Sequence, residues 1–249
     1  MYISLLLNRL GFNVVPTRNG AEALVLLKVM KPNLVIIDAT IQEVEGVTAP
    51  ALISSIEHTS KAPVIITFTE KDGKSFDECV KRSHFGCVRK PINILQFHTL
   101  IEQSVTFAGG HRRKFLRTSI NQEVSIKHKG GTYKSYAVSL SEGGIYIRGT
   151  DNLFVGLKVE VSLKLNATKT LSLRGVVIYK KDVYTDVFKV ISGVAIEFKD
   201  LSKKHSKILK DHILDLLVGD IMGEQENIFK IDQTKETTLR NTFTKQDGI

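Results

Sequence analysis

Two hydrophobic rhythms divide this chain. Over residues 1–100, short unbroken apolar runs alternate with stretches whose apolar positions recur every three or four residues. Phe12-Asn13-Val14-Val15 predicts a strand. Ala21 to Val29, entered through Asn19-Gly20, predicts a helix with Ala23, Leu24 and Leu27 on its apolar face. Leu34-Val35-Ile36-Ile37 and Val64-Ile65-Ile66 are runs expected of strands covered on both faces, and Gly86-Cys87-Val88 is a weaker third. Helices fit near 48–58, 74–83 and 93–105. The alternation predicts an α/β domain with a parallel sheet.

Beyond residue 118 the period shortens to two. Glu123–Ile126, Ser135–Val138, Ile145–Ile147, Val159–Leu163, Leu171–Val177 and Val194–Phe198 predict strands, with Gly130-Gly131 marking a turn. Many short strands with glycine turns predict a small barrel. Residues 202–217 follow as an amphipathic helix with Ile208, Leu209, Ile213, Leu216 and Leu217 apolar. The polar residues from about 222 carry no sustained pattern and are expected to be a disordered tail.

Composition supports folded domains, since 42% of the residues are apolar. The net charge of +9 is uneven: residues 101–220 carry 20 basic and 12 acidic side chains, and residues 1–100 carry 11 and 9. A positive middle section attracts phosphates, nucleic acid or anionic surfaces without choosing among them. No run reaches the length of a membrane span. The opening Met1–Leu7 lacks the basic start of a secretory leader, and Cys79 and Cys87 form neither a disulfide framework nor a metal motif. A reducing cytoplasm is the simplest expectation.

In an open parallel sheet, functional groups gather beyond the carboxyl ends of the strands. Asp38 ends the Ile36-Ile37 run, and Lys90-Pro91 follows the strand at 86–88. An acidic residue facing a lysine there suits a phosphorylated aspartate or a plain ion pair, and both readings stay open. With Leu10-Gly11-Phe12, Asn19–Leu24, Lys31–Asp38 and Phe85–Pro91 in this order, residues 1–100 resemble a response-regulator receiver domain of flavodoxin-like fold. Gly46 falls where that family has a glycine in the loop after the phosphoacceptor. The resemblance implies Asp38 as phosphoacceptor, Lys90 as the lysine at the phosphoryl group, and a histidine kinase as partner. The chain departs from the family pattern in lacking the first strand and its acidic pair, in carrying Phe68 at the hydroxyl position between Thr67 and Thr69, and in having Ile41 and Gln42 after the phosphoacceptor. Mg²⁺ is therefore expected only if a longer natural chain supplies the acidic residues. A degenerate domain serving as a binding or homodimer surface is the competing expectation.

Arg112-Arg113-Lys114-Phe115-Leu116-Arg117 places three arginines and a lysine in six residues, and Ser139-Leu140-Ser141-Glu142-Gly143-Gly144 begins 22 residues after Arg117. Arg113 and Arg117 offer planar forks that grip phosphate bidentately and stack on purines. Ser141 supplies a hydroxyl, and Gly143 and Gly144 let the backbone approach a ligand closely. A diester with two phosphates and two purines would use all of these; a solvated basic linker is the plainer alternative. The arginines four apart, the serine and glycine spacing, and Gly193–Leu201 near the end make residues 111–218 resemble a PilZ domain. That resemblance implies cyclic di-GMP as ligand, with Arg112, Arg113, Arg117, Ser139, Ser141, Gly143 and Gly144 at the site. It also implies a bacterial setting of motility, exopolysaccharide or surface behaviour. Ser139 stands where the family usually has Asp or Asn. Losing a charged acceptor for guanine N–H groups costs roughly 1.5–3 kcal/mol, or about tenfold to a hundredfold in affinity.

The expected organisation is a receiver-like domain over 1–105, a basic arm over 106–117, a β-barrel over 118–220 with its closing helix, and a tail over 221–249. His111 reads as part of the arm, and Phe12, Phe85, Phe154 and Phe198 read as core residues. With no convergent base, nucleophile or metal cluster, the chain reads as non-enzymatic. The leading expectation is a cyclic di-GMP-responsive signalling adaptor acting on a downstream protein. A ligand-independent interaction module is the alternative. A nucleic-acid binder is third, since no helix-turn-helix or aromatic strand motif supports it.

Overall fold

The computed structural model describes residues 2–41, 47–59, 61–69, 86–107, 113–181, 192–222 and 229–230. The N-terminal half runs α1 (Tyr2–Arg9), α2 (Gly20–Val29), β1 (Val35–Asp38), α3 (Ala49–Thr59), β2 (Val64–Phe68), β3 (Gly86–Arg89), β4 (Ile92–Asn93) and α4 (Ile94–Phe107). Strands β1, β2 and β3 form a parallel sheet in that order. The central β2 buries Val64, Ile65 and Ile66 completely, which is why its apolar run is unbroken. Asn19 starts α2 by accepting the Glu22 N–H at 2.9 Å, and the Glu22 carboxylate accepts the Arg18 N–H at 2.7 Å. The first bond satisfies an amide that a helix start leaves unpaired, and the second ties the residue before the cap to the first turn.

One expected strand is absent. Residues 12–15 form no ladder, because among the described residues no neighbouring strand pairs with them. Phe12 and Val14 instead pack at the edge of the core. The expected helix at 74–83 and Gly46 lie outside the described residues.

The C-terminal half is a closed barrel of β5 (Arg117–His128), β6 (Gly131–Ser141), β7 (Gly144–Arg148), β8 (Lys158–Lys164), β9 (Thr170–Lys181) and β10 (Gly193–Phe198). The strands close in the order β10-β7-β6-β5-β8-β9, all neighbours antiparallel. Alternating residues such as Val124 and Ile126, Val159, Val161 and Leu163, and Leu171 and Leu173 fill its interior. Phe198 is buried as its apolar character predicts, but Phe154 is 63% exposed in the turn before β8 and is not a core residue.

Helix α5 (Lys203–Met222) extends beyond the expected 202–217 and buries Leu209, Ile213, Leu214, Leu217, Val218 and Ile221. Its start is capped by Ser202, whose hydroxyl accepts the His205 N–H at 3.1 Å. Within the span expected to be a tail, β11 (Phe229–Lys230) pairs in parallel with β4.

The two halves share one hydrophobic core. Leu6, Leu7 and Leu10 of the α1 region and Ile92, Phe97 and Ile101 join the barrel interior and α5 in one cluster. Beside it, the Arg9 guanidinium donates two bonds of 2.6 Å to the Asp220 carboxylate and one of 2.9 Å to the Leu217 carbonyl. No helix of the described residues is long and apolar enough to cross a membrane.

Candidate functional site

Strand register gathers the barrel's polar signature on one outer face. Leu140, Ile145 and Ile147 face the interior, so Ser139, Ser141, Gly144 and Tyr146 face outward by alternation. Directly opposed residues share a face, and two rows result. One runs Arg117, Ser141, Gly144, Glu197 across β5, β6, β7 and β10. The other runs Ser119, Ser139, Tyr146, Ala195, Tyr179 across β5, β6, β7, β10 and β9. Arg117 and Ser141, 24 positions apart in sequence, therefore become neighbours.

The turn between β6 and β7 is tightly tied. The Ser141 hydroxyl donates to the Gly144 carbonyl at 3.2 Å, and the Phe198 N–H donates to the Gly143 carbonyl at 2.9 Å. A Cβ on Gly144 would lie 2.4 Å from the Ile196 carbonyl oxygen, so only glycine fits beside β10 there. A Cβ on Gly143 would lie 2.7 Å from the ring of Phe115, which rests on that turn. Leu116, the next residue of the arm, is buried. The arm is thus pinned by Leu116 in the core and Phe115 on the glycines.

Tyr146 and Tyr179 stand on strands separated by β10. Two strand spacings would hold their backbones about 9.6 Å apart, yet the ring centroids are 6.2 Å apart at an interplanar angle of 32°. The rings lean together over Ala195, whose methyl leaves room for them. Burial, and then the neighbouring Tyr179, push the Tyr146 phenol above its ordinary pKa. The Lys181 ammonium lies 6.0 Å from the Tyr179 ring centre.

The two arginines of the arm have different surroundings. Arg117 is half-buried, and burial followed by the charge of Arg113 lowers its pKa, countered by Tyr179 and Glu102. Arg113 is held by the N-terminal half. Its backbone N–H donates to the Glu102 carboxylate at 2.6 Å, its guanidinium donates to the Leu10 carbonyl at 3.3 Å, and the same group lies 5.4 Å from the Phe12 ring centre. Glu102 is only 2% exposed, with His98 Nε2 3.7 Å away. Burial, and secondarily Arg113, lower the His98 pKa against the opposing pull of Glu102. A cleft of about 300 Å³ opens here, lined by His98, Thr99, Glu102, Arg113 and Lys114. Arg112 and His111 lie outside the described residues.

Asp38 and Lys90 do meet at the carboxyl edge of the parallel sheet. The Lys90 ammonium bonds one Asp38 carboxylate oxygen, while Thr40 donates to the other through its N–H at 3.1 Å and its hydroxyl at 2.7 Å. Burial raises the Asp38 pKa, but the bonds from Lys90 and Thr40 outweigh it and the net shift is downward. Thr67 lies opposite Asp38 in register and is fully buried. Phe68 ends β2 and packs on the neighbouring core. Among the described residues no three His, Cys, Asp or Glu side chains come together to hold a metal. The Asp38 carboxylate is already bonded by Lys90 and Thr40.

Ser119, Tyr146, Tyr179, Phe115 and Glu102 complete the neighbourhood, and none was singled out by sequence motif. The first three could be found only by fixing the barrel register, and Glu102 only from the packing of α4.

The PilZ domain model matches residues 111–215, and the response regulator receiver domain model matches residues 1–102. No curated protein matches. Among solved structures, the PilZ domain of YcgR from Escherichia coli with c-di-GMP is similar at 15% identity and a TM-score of 0.37, covering 47% of this chain and 98% of that one. The Bacillus subtilis inhibitor of motility MotI/DgrA is similar at 17% identity and a TM-score of 0.37, covering 44% of this chain; the match spans 52% of the inhibitor's length. The signal receiver domain of a modulated diguanylate cyclase from Desulfovibrio desulfuricans G20 is similar at 19% identity and a TM-score of 0.39, covering 43% of this chain and 84% of that one.

Proposed function

We propose that this chain, a PilZ domain behind a response regulator receiver domain, is a regulator that binds cyclic di-GMP on the outer face of its barrel. The observation that carries this reading is the register of Arg117 against Ser141, which sets a guanidinium fork beside the serine–glycine turn. Arg112, Arg113 and Arg117 supply cations for two phosphates and planar surfaces for guanine. Ser141 holds the turn, and Gly143 and Gly144 bring backbone close to the ligand. Ser139, on the same face, offers guanine a neutral hydroxyl instead of a carboxylate. The Tyr146–Tyr179 pair adds an aromatic platform, since base–ring stacking is worth about 1–3 kcal/mol.

Signal transfer follows from the arm's double attachment. In this reading residues 106–117 are the arm between a receiver-like domain over 1–105 and the barrel over 118–220, and Arg113 of that arm is bonded to the first domain. Ligand that recruits Arg113 changes that attachment and presents an altered surface to a downstream protein. The role is regulatory and not catalytic. Asp38, with Lys90 on its carboxylate, is our candidate phosphoacceptor only where a longer natural chain supplies the acidic pair for Mg²⁺; labelled phosphate incorporated from a small phosphodonor by an upstream-extended protein and lost in Asp38→Asn supports this.

The test is calorimetric titration of the full chain with cyclic di-GMP, alongside Arg113→Ala and Arg117→Ala. Saturable binding that the substitutions weaken supports the reading. Absence of heat and of displacement at high micromolar ligand favours a ligand-independent interaction module, the reading that Ser139 supports.

A further inference from the structure

A buried carboxylate is stable only beside donors or opposite charge. Glu102 obtains a donor from outside its own domain, accepting the Arg113 N–H at 2.6 Å while Arg113 and Lys114 line the cleft with it. Its other close partner is His98 at 3.7 Å. The arm carries Arg113 and Arg117 four residues apart, and in the absence of an anion these like charges repel. Glu102 is a carboxylate that the fold brings to this arm, where it partly opposes the net lowering of the Arg117 pKa by burial and by Arg113.

Phosphate and carboxylate compete for the same donors: both are oxyanions that accept charge-assisted bonds from guanidinium and backbone N–H groups. We infer that Glu102 of the first domain is a placeholder anion for the arginine arm, holding it docked through the Arg113 N–H until the phosphates of the bound dinucleotide draw the arm's donors away. This inference rests on the proposal that the arm binds cyclic di-GMP. It makes Glu102 a positioning residue that acts through Arg113, and it ties ligand occupancy to the contact between the two domains. On undocking, Arg113 also leaves the Leu10 carbonyl and the Phe12 ring, and Glu102 becomes hydrated.

The sign of the effect separates this role from a structural one. Damage to the fold weakens ligand binding, whereas removal of a competing anion strengthens it. Glu102→Gln keeps the shape of the side chain and an acceptor for the amide while deleting the charge. In the full chain it should tighten cyclic di-GMP binding by about threefold to tenfold, because a larger fraction of molecules carries an undocked arm. Binding should also fall more steeply with added salt, since two uncompensated arginines then meet the phosphates. Without ligand, trypsin should cut after Arg113 and Lys114 faster in the variant than in the wild type. Glu102→Ala should shift both readouts in the same direction and further.

Affinity equal to or weaker than wild type in a folded Glu102→Gln protein overturns the inference. If neither protein binds cyclic di-GMP, the ligand proposal fails on its own, and the tryptic comparison still decides the docking role. Unchanged cleavage then overturns it, and faster cleavage sustains it.

Discussion

The Phe115 ring occupies the space that a Cβ on Gly143 would need, 2.7 Å from where that atom would stand. The arm and the β6–β7 turn are therefore complementary, and the glycine is required by a neighbour and not by its own torsion angles. Gly144 differs, because its Cβ would meet the Ile196 carbonyl, which belongs to the barrel backbone. Gly143→Ala should displace the ring and loosen the arm at a cost near the lower end of the 1–3 kcal/mol typical of overpacking, while Gly144→Ala should reach about 3 kcal/mol. Thermal melts check this ordering, with a fall of about 2–4 °C for each kcal/mol in a chain of this size.

Ser139 shares its row with Tyr146 and Ser119 on the outer face proposed to bind the ligand. Ser139→Asp would restore an acceptor that can take two guanine N–H donors. Cyclic di-GMP should bind about tenfold to a hundredfold more tightly, the equivalent of one hydrogen bond to a charged group. Titration at fixed ionic strength checks it.

Tyr179 leans toward Tyr146 across Ala195 with ring centroids 6.2 Å apart. Tyr179→Ala should weaken binding by about 1–3 kcal/mol if a guanine stacks there, whereas Tyr179→Phe, which keeps the ring, should change it little. An equal loss in both variants would assign the effect to the hydroxyl. Parallel titrations distinguish the outcomes.

Asp38 has a pKa below the ordinary aspartate range: burial pushes it upward, but the bonds from Lys90 and Thr40 prevail. A carboxylate with a lowered pKa in the folded state contributes stability that is fully present above its unfolded value of about 3.9 and is lost as pH falls through the folded value. The melting-temperature difference between wild type and Asp38→Asn should therefore be constant near neutrality and shrink below about pH 4. Melts from pH 6 to pH 3 measure it.

The sequence disclosed what local chemistry decides. Val64-Ile65-Ile66 reads as a doubly covered strand because its whole run is apolar, and Asn19 reads as a helix start because its side chain replaces a missing helical partner. Residues 12–15 have strand-like composition, but a ladder needs a partner and none pairs with them among the described residues. The Tyr146–Tyr179 pair was hidden for a different reason. Register shifts between Ala137 and Ser139 and between Ala195 and Ile196 change which residues oppose one another, and no periodicity discloses a bulge. Arg113 was recognisable in the sequence as a candidate phosphate ligand, yet its bond to Leu10 joins residues 103 positions apart. That contact depends on how the two halves pack. Arg117 and Ser141 lie 24 positions apart and meet because β5 and β6 form one hairpin, so their pairing followed more readily from motif spacing.

Whether the outer face holding Arg117 and Ser141 binds cyclic di-GMP is decided by calorimetric titration of the full chain against that ligand, with Arg117→Ala as the comparison. The wild type should bind saturably and the variant at least about tenfold more weakly, as expected for loss of a charge-assisted contact. No heat at high micromolar ligand, or identical isotherms for the two proteins, would contradict it.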